Sequence, residues 1–178
     1  MEDVIRGRVW KFGDDVSTDL ILPGSIEFAV EAGRMTPAES IPHCMAANRP
    51  DWWREVRSGD LIVAGLNFGA GSSRPAHLPL QAMGIRAVIA ESAARLFART
   101  SLNAAFLVVA CTGITRLAAE GDELLIELNR GVITKVGSDA QLRFPPLAGD
   151  SPPMEILRAG GLIPYLMKTL RQEWPPGG

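Results

Sequence analysis

The chain has 178 residues, of which 47% are hydrophobic and 21% are charged, and this composition is typical of one folded domain with a substantial core. Its formal net charge of −2 argues against a nucleic-acid surface, and no stretch approaches the roughly 20 apolar residues that a membrane helix needs. The opening MEDVIRGRVW lacks the features of a signal peptide, so we expect a cytoplasmic protein. From its length, we expect a single domain over residues 1–178.

The N-terminal quarter predicts a strand, a polar loop and a short helix. Residues 4–11 are typical of a strand, and the turn-forming segment GDDVSTDL after them predicts a loop. A helix begins after Thr36, because Pro37 suits the first helical position and Glu39 can close a capping box with the threonine. Pro42 is expected to end this helix early.

Two adjacent tryptophans, Trp52 and Trp53, lie in the segment NRPDWWREVRSGD, which predicts a short helix that ends at Gly59. Neighbouring side chains point to different sides of a helix, so we expect at least one ring to be partly exposed. The rings either pack on the core or form a patch that docks on a partner. Such a patch favours self-association of the isolated chain.

Three short apolar runs in the middle of the chain alternate with predicted helices. The runs are LIVA at residues 61–64, RAVIA and AFLVVAC. The first intervening helix covers about residues 75–83, and the second is the amphipathic segment ESAARLFARTSL, whose first turn contains Glu91 and Ser92. Apolar strands that are connected by helices pair in parallel through crossovers, so this region predicts a parallel sheet.

The C-terminal third has a different pattern. The segment GDELLIELNRGVITKVG alternates and turns at residues 129–131, which is typical of a β-hairpin. Two short helices follow, separated by Gly160 and Gly161, and residues 173–178 predict a disordered tail. The chain as a whole therefore predicts an α/β fold with a mixed sheet, crossover helices and a β-hairpin.

The cysteines and histidines do not form a metal-binding pattern. Cys44 and Cys111 are the only cysteines, each isolated in the sequence, and no CxxC pair is present. His43 and His77 have no partners at ligand spacing. We therefore expect this chain to supply no metal site, and Cys111 to be a buried core residue.

The segment NFGAGSSR follows the first apolar run and has the chemistry of an anion site. Gly69 and Gly71 allow close approach of the backbone, while Ser72, Ser73 and Arg74 stand where the next helix is predicted to begin. A helix N-terminus favours an anion, and an arginine pairs with a carboxylate or phosphate through two parallel bonds. The segment is neither GxGxxG nor a phosphate loop, and its local chemistry also fits a capped strand-to-helix turn.

The segments KFGDDVSTDLILPG, SGDLIVAGLNFGAGSSR, GIRAVIAESAARLFARTSLNAAF and MEILRAGGLIPYL together resemble the small subunits of isopropylmalate isomerase, in the aconitase superfamily. The resemblance covers nearly the whole chain and implies an aconitase-type swivelling β/β/α domain. It implies a hydro-lyase that dehydrates and rehydrates a hydroxy acid such as isopropylmalate, in leucine biosynthesis. It further implies a [4Fe–4S] cluster carried by a separate large subunit, with no cofactor bound by this chain.

The resemblance also implies roles for individual residues. Ser72 corresponds to the catalytic base, which acts as an alkoxide and needs nearby positive charge and N–H donors. Ser73 and Arg74 match positions that hold substrate carboxylates. Thr18 and Asp19 match an element near the site, and we expect Thr18 to contact the substrate. We place Asp19 with the catalytic residues as a group that orients another, although an Asx turn or helix cap would also explain it.

The sequence departs from the family pattern beside the Ser–Ser–Arg motif. Most relatives have Glu–His after the arginine, where this chain has Pro75 and Ala76, and many have a cysteine where this chain has Ala70. The replacement of Glu–His by Pro75 and Ala76 leaves a non-catalytic carboxylate-binding module as an alternative to the enzyme. The intact Ser–Ser–Arg and STD motifs favour the enzyme.

The loop LPGSIEFAVEAGR bears on the substrate. It lacks the tyrosine of isopropylmalate isomerases and the arginine of aconitases at the matching place. Ile26 and Phe28 suit a branched alkyl group, as in isopropylmalate or dimethylmalate, and Glu27 repels a further substrate carboxylate unless it pairs with Arg34 or points away. A related dehydratase acting on dimethylmalate or homoaconitate remains the alternative within the enzyme class.

Overall fold

The described strands form one mixed sheet. This computed structural model describes residues 3–71 and 73–173. The strands are β1 (Val4–Lys11), β2 (Leu61–Ala64), β3 (Ala87–Ala90), β4 (Leu107–Ala110), β5 (Glu123–Glu127), β6 (Val132–Lys135) and β7 (Gln141–Arg143). They lie in the order β4-β3-β2-β1-β5-β6-β7.

The sheet has a parallel and an antiparallel half that meet at β1. Strands β1 to β4 pair in parallel, whereas β5 pairs antiparallel with β1 and continues into the antiparallel strands β6 and β7. The predicted parallel pairing and the predicted hairpin of β5 and β6 are both confirmed. The predicted strand over residues 4–11 is also confirmed.

Helices connect the strands and cover both faces of the sheet. The α-helices are α1 (Thr18–Ile21), α2 (Gly24–Glu31), α3 (Pro37–Ser40), α4 (Leu78–Ala82), α5 (Arg95–Asn103), α6 (Ile114–Leu117), α7 (Pro152–Ala159) and α8 (Leu162–Glu173). Two 3₁₀ helices, Ile41–His43 and Trp52–Arg54, lie between α3 and β2.

Apolar cores lie on the two faces of the sheet. In β2, Leu61 and Val63 belong to one core, and Ile62 and Ala64 belong to the other. All four residues are fully buried, which explains why the central strands are continuously apolar rather than alternating. The tightly packed strands give the loops at their carboxyl ends a rigid support.

The capping box and the buried tryptophan agree with the sequence pattern. The Thr36 hydroxyl accepts from the Glu39 backbone N–H, and the Glu39 carboxylate accepts from the Thr36 backbone N–H. Trp52 is completely buried, whereas Trp53 is half-buried with the Arg54 guanidinium over its ring. The predicted helix around the tryptophans is a single 3₁₀ turn that ends at Arg54 rather than at Gly59.

The helix α5 begins after Glu91 and Ser92, which the sequence predicts in its first turn. Both side chains instead serve neighbouring loops. The Glu91 carboxylate accepts from the backbone N–H groups of Gly113 and Thr115 at 2.6 and 2.9 Å, and the Ser92 hydroxyl accepts from the Asn67 N–H at 2.9 Å. Since these partners are distant in sequence, local pattern alone does not reveal them.

Two loops that the sequence predicts as irregular contain helices, α1 and α2, and the strand β7 and the helix α6 have no counterpart among the predicted elements. The two predicted C-terminal helices are confirmed as α7 and α8, with Gly160 and Gly161 between them. Of the predicted tail, Glu173 ends α8, and residues 174–178 lie outside the described residues.

Candidate functional site

The candidate site lies where β1 and β2 end. These strands are parallel neighbours, so the loops that follow them leave the sheet at the same edge, where α/β folds commonly bind ligands. The two loops are joined through their backbones: Asp15 N–H donates to Leu66 O at 2.8 Å, Thr18 N–H to Ala70 O at 2.9 Å, and Gly69 N–H to Val16 O at 2.7 Å. The STD and glycine-rich motifs are therefore neighbours in the fold.

The glycines of the second loop are required by close approach. Gly71 has a φ of +132°, and a Cβ built on it would lie 2.6 Å from the Thr18 hydroxyl oxygen. Gly69 has a φ of +75°, and a Cβ there would overlap the ring of Phe97. Side chains at either position would push the two motifs apart.

Arg74 reaches from this loop to the start of α2. Its Nη1 donates to Gly24 O at 3.5 Å and lies 3.7 Å from Glu27 Oε2. A Cβ built on Gly24 would lie 3.3 Å from Asp19 Oδ1 and 3.4 Å from Arg74 Nη1, so the Asp19 carboxylate and the Arg74 guanidinium flank the same point. The Arg74 side chain is 43% exposed, so its guanidinium is accessible to a carboxylate of a ligand.

The predicted catalytic base, Ser72, lies outside the described residues. Of the other predicted site residues in the two motifs, Thr18 is fully buried, and Asp19 and Ser73 are exposed. The structure brings Thr18, Asp19 and Arg74 to one edge of the sheet.

The expected helix N-terminus next to Arg74 is wrong. The helix α4 begins at Leu78 rather than near Pro75. The intervening residues form turns, in which Ala76 N–H donates to Arg74 O at 2.9 Å and Leu78 N–H to Pro75 O at 3.0 Å. The positive charge described at this point comes from the arginine side chain.

The predicted apolar lining, Ile26 and Phe28, lies on the helix α2 rather than on a loop. Ile26 is half-buried and packs against one core, whereas Phe28 is 55% exposed with the Arg34 guanidinium 4.9 Å from its ring centre. The structure points these two side chains in different directions. Their joint role in binding a branched alkyl group stays a prediction.

Glu27 lies between them, and the sequence does not identify the arginine that it faces. It is 1% exposed and faces Arg74 rather than Arg34. Burial raises the pKa of Glu27 to about 7; the charge of Arg74 opposes this rise, and the carboxylates of Asp19 and Glu31 add to it. The only sequence signal that could have indicated the burial of Glu27 is its position among apolar residues at the start of a helix.

The cysteines and histidines of the described ranges do not assemble. Cys44 and Cys111 are buried on opposite faces of the sheet as free thiols. His77 is buried between aromatic rings, and His43 is exposed. Residues 3–71 and 73–173 contain no group of three or more His, Cys, Asp or Glu side chains arranged to hold a metal ion. No helix in the same ranges is long and apolar enough to cross a membrane.

Comparison with known proteins identifies the family. The family model for the aconitase C-terminal domain matches residues 29–112. The chain is 42% identical over 173 residues to the isopropylmalate/citramalate isomerase small subunit of Methanocaldococcus jannaschii, covering 97% of this chain and 99% of that protein. The chain belongs to the family of 3-isopropylmalate dehydratase small subunits.

A solved structure and a further relative agree with this family. A crystal structure of 3-isopropylmalate dehydratase from Methanocaldococcus jannaschii superposes with a TM-score of 0.83 at 37% identity, covering 98% of this chain and 99% of that one. The chain is 40% identical to the 3-isopropylmalate dehydratase small subunit of Nautilia profundicola, over 96% of this chain and 98% of that protein. The predicted aconitase-type fold is thereby confirmed.

The substrates named for the relatives differ. The chain is also 40% identical to the methanogen homoaconitase small subunit of Methanothermobacter thermautotrophicus, over 96% of this chain and 95% of that protein. Family membership therefore fixes the type of enzyme more closely than its substrate, and the side chains around Arg74 become the basis for choosing between dicarboxylates and tricarboxylates.

Proposed function

We propose that this chain is the small subunit of an iron–sulfur hydro-lyase that dehydrates and rehydrates a hydroxy acid, with isopropylmalate as the favoured substrate. The observation that carries the proposal is the match to named small subunits over nearly the full length of both chains. A small subunit implies a separate large subunit, so the chain is active only when the two are assembled.

The proposed [4Fe–4S] cluster does not fit the described residues of this chain. Such clusters are held by several cysteine thiolates, whereas Cys44 and Cys111 lie on opposite faces of the sheet. Burial raises the pKa of both thiols, which keeps them protonated. We therefore place the cluster in the large subunit.

The proposed mechanism assigns substrate binding and proton removal to the edge of the sheet at β1 and β2. Arg74 holds a substrate carboxylate through two parallel hydrogen bonds, and Ser73 donates a further one. Ser72, as an alkoxide, takes the proton from the carbon next to a carboxylate and becomes a hydroxyl group. The electron pair of that C–H bond forms the double bond as hydroxide leaves the neighbouring carbon, and the reverse steps add water back. The Arg74 charge stabilises the alkoxide and the negative charge that develops on the substrate.

Asp19 is proposed as an orienting group in this site. Its carboxylate and the Arg74 guanidinium flank the same point beside Gly24. The opposite charges favour one orientation of the guanidinium over others. Thr18 supports this arrangement because its backbone N–H ties the STD motif to the glycine-rich loop.

The choice of a substrate with an apolar substituent rests on the charges of α2. Its charged side chains, Glu27 and Glu31, include no cation, so a third substrate carboxylate there would lack a partner and would be repelled by the exposed Glu31 carboxylate. Isopropylmalate and citramalate carry a small alkyl group where homocitrate carries a longer acidic arm. We therefore expect the dicarboxylates to be turned over in preference.

The test is turnover by this chain purified anaerobically with its large subunit and an intact cluster. Absorbance of the alkene product is followed with 3-isopropylmalate, citramalate, dimethylmalate and homocitrate. Turnover of the branched dicarboxylates supports the proposal in full. Turnover of homocitrate alone overturns the choice of substrate, and no turnover with any of them rejects the enzyme in favour of a carboxylate-binding module.

A further inference from the structure

Glu27 is a buried carboxyl group without hydrogen bonds among the described residues. Its side chain is 1% exposed, and neither carboxylate oxygen accepts a hydrogen bond from the described part of the chain. Burying a charged carboxylate in this way costs free energy. Such an arrangement points to a role other than stabilising the fold.

The charged groups that face Glu27 come from three segments. Arg74, from the glycine-rich loop, places Nη1 3.7 Å from Glu27 Oε2. The carboxylates of Asp19, in α1, and Glu31, one turn further along α2, add negative charge around it. Arg34 is not part of this cluster, because it stacks on Phe28. Glu27 therefore faces one cation, Arg74, and two further carboxylates of the same chain.

A substrate carboxylate enters this balance as a fourth anion. It pairs with the same guanidinium that Glu27 faces, and the two anions compete for one cation. Glu27 is the buried member of the cluster, so its negative charge is the one that solvent screens least. Adding a proton to Glu27 removes the competition without moving any atom of the loop.

We propose, on the basis of the function proposed above, that Glu27 is a positioning residue that competes with the substrate for Arg74. When ionised, the Glu27 carboxylate holds the guanidinium toward α2. When protonated, it no longer competes with a carboxylate of the substrate for the charge of Arg74. Substrate binding and proton binding to Glu27 therefore favour each other, and each complex formed near neutral pH takes up a proton from solvent.

The raised pKa of Glu27 places this exchange in an accessible range. Because burial raises that pKa to about 7, the residue is mostly protonated at pH 6 and mostly ionised at pH 8. A substrate that binds only the protonated form shows a KM that rises by up to about tenfold per pH unit above the pKa. The turnover number should change much less, since Glu27 does not contact the reacting atoms in this proposal.

The experiment measures KM and kcat for 3-isopropylmalate between pH 6 and 9 with the assembled enzyme. Wild type is compared with Glu27→Gln, which keeps the size of the side chain but stays neutral, and with Glu155→Gln, which removes one charge from an exposed position of α7. We expect KM to rise several-fold from pH 6.5 to pH 8 in wild type and Glu155→Gln. In Glu27→Gln, KM should be low and flat, with kcat within about twofold of wild type.

The outcomes separate this inference from the proposed function. A wild-type rise of KM that persists in Glu27→Gln, or a wild-type KM that does not rise, overturns the role of Glu27 while leaving the enzyme intact. No turnover by wild type with an intact cluster rejects the proposed function and this role with it.

A second measurement uses only the wild-type enzyme, so it tests the role of Glu27 even when Glu27→Gln fails to assemble with the large subunit. Calorimetric titration of 3-isopropylmalate at pH 7.5, in two buffers of different ionisation enthalpy, gives the number of protons taken up on binding. Uptake of more than about half a proton per site supports the role of Glu27, and uptake near zero overturns it.

Discussion

Replacing His77 by leucine tests how much this buried histidine lowers the stability of the fold at acidic pH. His77 is 2% exposed, stacks on Phe106 at a ring-centre distance of 6.1 Å and lies edge-on to Phe97 at 6.3 Å. Neither ring nitrogen has a hydrogen-bond partner in the described part of the chain. Burial among these rings lowers the pKa of His77 from 6.5 to about 4.

The sign and size of the pH effect follow from that lowered pKa. Between pH 6.5 and pH 4 the unfolded chain takes up a proton at this position and the folded chain does not, so stability falls as the pH falls. One pKa unit corresponds to about 1.4 kcal/mol. The change from 6.5 to about 4 therefore amounts to a loss of about 3 kcal/mol, complete only below pH 4. His77→Leu should remove this loss.

Urea unfolding of the isolated chain, followed by circular dichroism at pH 7.5 and pH 4.5, checks the prediction. His77→Leu should be at least as stable as wild type at pH 7.5, because the leucine buries no unpaired nitrogen, and should gain a further 2 kcal/mol or so on wild type at pH 4.5. His43→Leu is the matched control, since that histidine is exposed. The same stability difference at both pH values for His77→Leu would refute the reasoning.

Three further substitutions test the site and its support. Arg74→Lys should raise KM at least about tenfold with a smaller change in kcat in steady-state assays, because an ammonium cannot form the two-bond pair with a carboxylate; an unchanged KM would remove Arg74 from the site. Ser72→Ala should abolish turnover while calorimetry still detects substrate binding, and retained turnover would rule out Ser72 as the base. Asp60→Asn should destabilise the chain by about 2 kcal/mol in urea unfolding, since it removes the buried negative charge that pairs with the half-buried Arg8 at 2.7 Å. The exposed Asp51→Asn should cost less than about 0.5 kcal/mol.

The sequence predicts those parts of the fold that depend on short-range pattern. The strand over residues 4–11, the capping box at Thr36 and the hairpin all follow from neighbouring residues. The apolar runs also predict parallel pairing, since only strands covered on both faces are apolar throughout. The start of α5 could not be predicted, because Glu91 is held by backbone N–H groups of Gly113 and Thr115, more than 20 positions along the chain.

The candidate site shows the same division. The family motifs predict that Thr18, Asp19 and Arg74 lie together, and the structure places them at one edge of the sheet. The sequence does not predict that Glu27 is buried against Arg74, or that Phe28 next to it is exposed. Neighbouring side chains of a helix point about 100° apart, and the cation that faces Glu27 lies in a loop nearly 50 residues away, so local pattern does not reveal the pair.

The backbone hydrogen bonds between the two site loops have a consequence for assembly. Fixing the backbone of one loop residue costs about 1–2 kcal/mol of conformational entropy, and residues 15–18 and 66–70 incur this cost when the chain itself folds. Association with a large subunit then requires little further ordering of these loops. The loops of this chain are already ordered before association, so their rearrangement should not limit how fast the subunits join.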